Sequence, residues 1–268
     1  MQIFKNVVLT SVATITLYAA KAQYTDSSSI KSNPDKSIHK PANWNIITEK
    51  KPITLRSFIV PAALITYGVS TLKVDGLKTV NGKLKEEIWE DMPHNKTCID
   101  NYLILAPAAA VYGLNMAGVK GKHNLLDRSI LLVMSQAITN ATVFSVKKFS
   151  HETRPDGSDD YSFPSGHTAS AFASAEFLRQ EYKDVSPWYG FAGYAVATAT
   201  GMLRMYNNKH WLSDVMAGAG VGIASTRLSY WLYPRIKKAF FKNREMNTMV
   251  VPYYQSGTAG VSMVYNFH

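Results

Sequence analysis

Six apolar segments recur along the chain, at residues 58–72, 102–119, 130–146, 165–177, 188–205 and 211–233, and short polar links separate them. They are too long and too rich in Ala to be strands, so helices packed side by side are the arrangement that can bury them. The links carry turn chemistry: Asp75-Gly76, Asn81-Gly82, Gly121, Asp156-Gly157 and Pro187. The expectation is an all-α chain, a helical bundle of about six main helices over residues 51–245. The end of the chain differs in kind. Residues 249–254 and 260–267 are β-prone and flank Gln255-Ser256-Gly257-Thr258, which predicts a short C-terminal β-hairpin within 246–268.

The amino terminus reads as a processing signal. Lys5 precedes an apolar run over 7–20, and Ala20-Lys21-Ala22 fits the small-residue pattern before a cleavage site. Residues 1–22 are therefore expected to be a signal peptide and Gln23 the mature start. A membrane anchor is the competing reading, for which the run is short. Residues 23–50 are polar, rich in Ser, Lys, Asn and Asp, and read as a flexible tether. Export would place the protein in the periplasm. The single cysteine, Cys98, excludes an intramolecular disulfide framework and a Cys-based zinc site.

Lys plus Arg number 29 and Asp plus Glu 19, a net charge of +10. This balance favours anionic partners without choosing among phosphates, nucleic acid and an anionic membrane surface. Several apolar segments approach the ~20 residues of a membrane span. Their polar content points the other way. Segment 130–146 holds Ser135, Gln136, Thr139, Asn140, Thr142 and Ser145, segment 165–177 holds Glu176, and segment 211–233 holds Arg227. Such groups are costly in lipid unless they face a bundle interior. The expectation is a soluble or peripherally attached helical bundle, with basic residues such as Lys120, Lys122, Arg128, Arg235 and Lys237 at the end away from the links that carry chemistry.

Three of those links are chemically loaded. The first is Lys147, six residues, then Arg154-Pro155. The second is Pro164-Ser165-Gly166-His167. The third is Arg204, five residues, His210, three residues, Asp214. In an up-and-down bundle they fall at one end and can converge. Lys147, Arg154 and Arg204 supply three permanent positive charges, and the two guanidinium forks can grip phosphate oxygens bidentately. Ser165 can cap a helix whose first N–H groups, at Gly166 and His167, face an anion. His210 and Asp214 stand at i and i+4, so the carboxylate can hold one imidazole nitrogen and leave the other free to attack. His167 can serve as general acid. His151 lies inside the first cluster and receives no role, Arg227 reads as structural, and His39, His94, His123 and His268 read as surface residues.

Taken together, these residues resemble the three-part signature of the type-2 phosphatidic acid phosphatase superfamily, which includes lipid phosphatases, non-specific acid phosphatases and vanadium haloperoxidases. One position departs from it: Leu203 stands where the family usually has Ser. The resemblance implies a phosphohistidine route. His210 attacks phosphorus, Asp214 orients it, His167 protonates the leaving oxygen, and Lys147, Arg154, Ser165, Gly166 and Arg204 hold the phosphoryl oxygens. It implies no metal and no cofactor in the phosphatase branch, with vanadate only in the haloperoxidase alternative. The expected substrate is a lipid-linked phosphate monoester or diphosphate, with membrane association and no nucleic acid. The runner-up is a soluble periplasmic acid phosphatase acting on small phosphoesters. A binder that merely captures an anion would need neither the nucleophile nor the acid.

Overall fold

The computed structural model describes residues 54–91, 94–240, 248–255 and 258–265. The signal peptide and tether expected at 1–50 lie outside these residues. The described chain is mostly helical. A 3-10 turn at Leu55–Phe58 leads into α1 (Ile59–Thr71), α2 (Asp75–Lys85), the short α3 (Ile99–Leu103), α4 (Ala106–Met116), α5 (Leu125–Ser150), α6 (Gly166–Tyr182), α7 (Pro187–Tyr206) and α8 (Leu212–Phe240).

The starts of the long helices follow from local chemistry. Asn124 caps α5 by accepting from the Asp127 N–H at 2.8 Å. Ser165 caps α6, accepting from the Thr168 N–H and hydroxyl. Ser186 caps α7, with Pro187 in the first turn where its missing N–H costs nothing. Helix α5 ends at His151, whose φ of 47° is left-handed, a common way to stop a helix.

One expectation fails. Asp75-Gly76 and Asn81-Gly82 are not turns but lie within α2. Asp75 opens that helix, where a negative charge favours the exposed N–H groups. Asn81 is buried and bonded to α8: its Nδ2 donates to Ser213 Oγ at 2.8 Å, and its Oδ1 accepts from the Ser213 N–H at 3.3 Å. Tertiary bonding overrides the turn preference. The pair Asp156-Gly157 does turn, with Gly157 at φ 67°.

Helix α6 is the central element, packed against α5, α7 and α8, with buried residues on all sides, among them Ala169, Ala171, Ala173 and Ala175. The polar residues that counted against membrane contact are satisfied inside the bundle or inside their own helix. Glu176, fully buried, accepts from Arg179 Nε at 2.7 Å, Gln180 Nε2 at 2.8 Å and Arg227 Nε at 2.9 Å, and from the Tyr194 hydroxyl. The two charges that looked out of place in apolar segments, Glu176 and Arg227, are thus each other's partners. On α5, Ser135 Oγ and Thr139 Oγ1 donate to the carbonyls four residues back, and Gln136 reaches Ser170 O and Ser174 Oγ on α6. Those side chains do not oppose contact with lipid. Among the described residues, α5 alone is by itself long and apolar enough to cross a membrane. It exposes Val133, Phe144 and Phe149 on its outer face.

The approach of α8 to α6 needs residues without side chains. A Cβ on Gly222 would stand 2.1 Å from the Ala169 carbonyl oxygen, and one on Gly218 2.6 Å from that of Ser165. Gly222→Ala should therefore force the two backbones apart and cost on the order of 3 kcal/mol. Thermal unfolding followed by circular dichroism checks this, and an unchanged Tm would refute the contact.

Candidate active site

The α5–α6 link, the first turn of α6, the α7–α8 link and the start of α8 meet at one end of the bundle, as the spacing predicts. The Ser165 N–H donates to the Asp214 carbonyl at 3.0 Å, which ties the second cluster to the third. Lys147 lies within electrostatic reach of Arg154, Arg204 and Asp214, and His167 within reach of Arg204, Arg154 and Lys147. All eight site residues read from the sequence therefore gather in one place.

His210 and Asp214 are both buried, and Nδ1 of the ring lies 3.3 Å from Asp214 Oδ2. That contact assigns the Nδ1 proton to the carboxylate and leaves Nε2 as the unprotonated nitrogen. Asp214 Oδ2 also accepts from the Trp211 N–H at 2.9 Å. Burial pushes the His210 pKa down to about 4, against the opposing pull of Asp214, so the ring is neutral at neutral pH. His167, in the first turn of α6 and half-buried, has its pKa lowered, first by burial and then by the nearby Arg204.

The three cations do not wait unpaired. Arg154 Nε donates to Asp159 Oδ1 at 2.7 Å. Arg204 Nη1 donates to Asp100 Oδ2 at 2.5 Å, while its buried Nε has no partner. Lys147 Nζ donates to the carbonyls of Tyr161 and Ser162. Ser165 is buried, and its hydroxyl oxygen accepts from Thr168 as the helix cap. His151 is exposed and ends α5. His94 and His123 are not plain surface residues: His94 Nε2 bonds to the Tyr206 carbonyl at 2.7 Å, and His123 Nδ1 meets Glu181 Oε1 at 2.6 Å.

The sequence reading missed a fourth contributor, the segment around α3. Asp100 is buried against Arg204, and Asn101 Oδ1 accepts from His167 Nε2 at 2.9 Å. Asn207 clamps the same segment, accepting from the Thr97 N–H and donating to the Thr97 carbonyl. Asp156 pairs with Lys96 at 3.4 Å and with Lys209 at 2.6 Å. Asp100 and Asn101 lie far before the motif in sequence, and no spacing rule reaches them. Among the described residues no His, Cys, Asp and Glu cluster could hold a metal ion.

The PAP2 superfamily matches residues 129–238, which hold every site residue read from the sequence. A protein of Porphyromonas gingivalis described as lipid A 1-phosphatase is 42% identical over 179 residues, 65% of this chain and 37% of that protein. The match thus spans little more than a third of that relative's length. Among solved structures, Aquifex aeolicus LpxE is 21% identical, with a TM-score of 0.44 over 56% of this chain and 94% of that one. A transmembrane PAP2-type phosphatidylglycerolphosphate phosphatase from Bacillus subtilis is 17% identical, with a TM-score of 0.48 over 67% of this chain and 98% of that one. The signature residues assembled at one end of the bundle all lie in the segment, residues 129–238, over which this chain is similar to the PAP2 superfamily.

Proposed function

We propose that this chain is a membrane-associated lipid phosphatase that hydrolyses a phosphate ester through a covalent phosphohistidine. The observation that carries it is the buried His210–Asp214 pair facing three convergent cations. In this reading His210 Nε2 attacks phosphorus in line, the bond from phosphorus to the leaving oxygen breaks, and His167 gives that oxygen a proton. Water then attacks the phosphohistidine with His167 taking its proton, and the bond from phosphorus to His210 Nε2 breaks to release inorganic phosphate and the free imidazole. Lys147, Arg154, Arg204 and the N–H groups of the α6 turn hold the three equatorial oxygens, and this electrostatic grip is the main source of rate in phosphoryl transfer. No metal or other cofactor enters this scheme.

For the substrate class we take the phosphate of a glycolipid of the lipid A type, the chemistry named for the 42%-identical relative. The outer surface supports a lipid setting: Ile59 and Val60 on α1, Val133, Phe144 and Phe149 on α5, and Trp188, Phe191 and Met202 on α7 are all exposed. We place the site on the periplasmic side after export, and treat the C-terminal hairpin as an appendage outside catalysis.

Purified protein in detergent should release phosphate from lipid A 1-phosphate, and His210→Ala should abolish release while keeping its helical circular dichroism. Rapid acid-free quench of the wild-type enzyme should trap an alkali-stable phosphoprotein. Turnover by folded His210→Ala at the wild-type rate would sink the nucleophile assignment.

The pH profile follows from the two histidines. His210 must be neutral to attack, so kcat/KM should rise as pH climbs through about 4. His167 must be protonated to donate, and its lowered pKa sets the falling limb below 6.5. Measured on an alkyl phosphate from pH 3 to 9, the optimum should be acidic. A plateau extending above pH 8 would remove His167 as the acid.

Arg204→Lys keeps the charge but not the planar fork. Losing one directed contact to the transition state costs on the order of 3 kcal/mol, roughly a hundredfold in kcat/KM. A variant within twofold of wild type would show that Arg204 does not grip the phosphoryl group.

A further inference from the structure

Ser162 stands outside the three clusters, yet it joins two of them. It is fully buried, its Oγ lies 2.5 Å from Asp214 Oδ2, and the same Oγ is 3.5 Å from His210 Nδ1. Its backbone is held at both ends: its N–H donates to the Glu152 carbonyl at 2.9 Å, and its carbonyl accepts from Lys147 Nζ at 3.2 Å. Asp214 Oδ2 thus collects three donors, from Ser162, Trp211 and His210, while Oδ1 is buried without a partner.

We propose that Ser162 is a positioning residue for the nucleophile, its hydroxyl fixing the Asp214 carboxylate so that Oδ2 meets His210 Nδ1. The inference rests on the reading of His210 as nucleophile. A carboxylate is free to rotate about its last torsion, and the unpartnered Oδ1 shows that nothing on the other oxygen restrains it. The hydroxyl and the Trp211 N–H supply that restraint. The hydroxyl also draws charge from Oδ2, which weakens its hold on the imidazole proton. The charged groups acting on His210 are Asp214 from α8, Lys147 from α5 and Arg204 from α7, and Glu152 from the α5–α6 link interacts with Asp214. None of these changes when Ser162 is replaced.

The test compares Ser162→Ala and Ser162→Thr with wild type. The alanine variant should lose about tenfold in kcat with KM within about twofold, because a bond made to the catalytic pair, not to the substrate, is removed. Its acid limb should move up from about 4, as an unshared Oδ2 favours the imidazolium. The threonine variant, which keeps the hydroxyl, should recover most of the rate. If the alanine variant does not fold, Ser162→Cys fills the space with a weak donor and carries the same expectations. Wild-type kcat and an unmoved limb in Ser162→Ala overturn the proposal, as does a loss shared by the alanine and threonine variants. The His210 ring titration, read by NMR without substrate, separates the two readings. Should wild type form no phosphoprotein, the nucleophile reading falls, while a His210 titration that is the same in Ser162→Ala and wild type rejects the role of Ser162 alone.

Discussion

The close approach of α8 to α6 sets the position of everything that reacts. Gly218 and Gly222 leave no room for a side chain between the helices, and the carbonyls of Ser165 and Ala169 fill the space a Cβ would take. That contact lays the start of α8 along the first turn of α6, so the Asp214 carbonyl receives the Ser165 N–H. Asp214 on one helix and the Ser165–Gly166 turn at the start of another are brought together by backbones, which cannot drift as long side chains can. The candidate site inherits rigidity from this tight backbone contact.

Rigidity alone would leave a cluster of like charges. Lys147, Arg154 and Arg204 lie close enough to repel one another, and burial of an unpaired cation costs several kcal/mol. The protein answers with counter-charges of its own: Asp159 on Arg154 and Asp100 on Arg204. Each acid touches one part of its guanidinium. Asp100 holds Nη1 of Arg204 and leaves Nε buried and unpartnered. An unsatisfied buried donor is destabilising, and an incoming phosphoryl oxygen is the kind of acceptor that would satisfy it. The site is thus stabilised by acids bound to its cations while part of its donor set is held in reserve.

How much of this is legible in the sequence follows from the range of each interaction. His210 and Asp214 are four residues apart, the first in the link before α8 and the second in its first turn, and helix ends fall where apolar runs stop, so the convergence of the three clusters can be read from local spacing. Asp100, Asn101 and Ser162 cannot, because their roles depend on contacts 48 to 104 positions away that no local pattern encodes. Helix α2 reads as turns for the same reason. Asn81-Gly82 favours a turn in isolation, and the two bonds from Asn81 to Ser213 hold it in a helix here.

The polar residues of the apolar segments carry a related lesson about the membrane. Counted by type, Ser135, Thr139, Glu176 and Arg227 disfavour lipid. Placed in three dimensions, each is bonded within its helix or to a neighbouring helix, and α5 presents Val133, Phe144 and Phe149 outward together with Asn140, Ser145 and Lys148. Charge counting needs the same correction. Arg128 is buried against Glu181 at 3.2 Å, and Lys237 is paired with Asp127 at 2.7 Å. Arg128 is therefore a structural ion and not a free basic residue, and the cation of Lys237 is partly neutralised. A rule that infers orientation from loop lysines and arginines assumes those charges face the headgroups. Here one of them ties α5 to α6, so the charge left to orient the chain comes from fewer residues than the sequence displays.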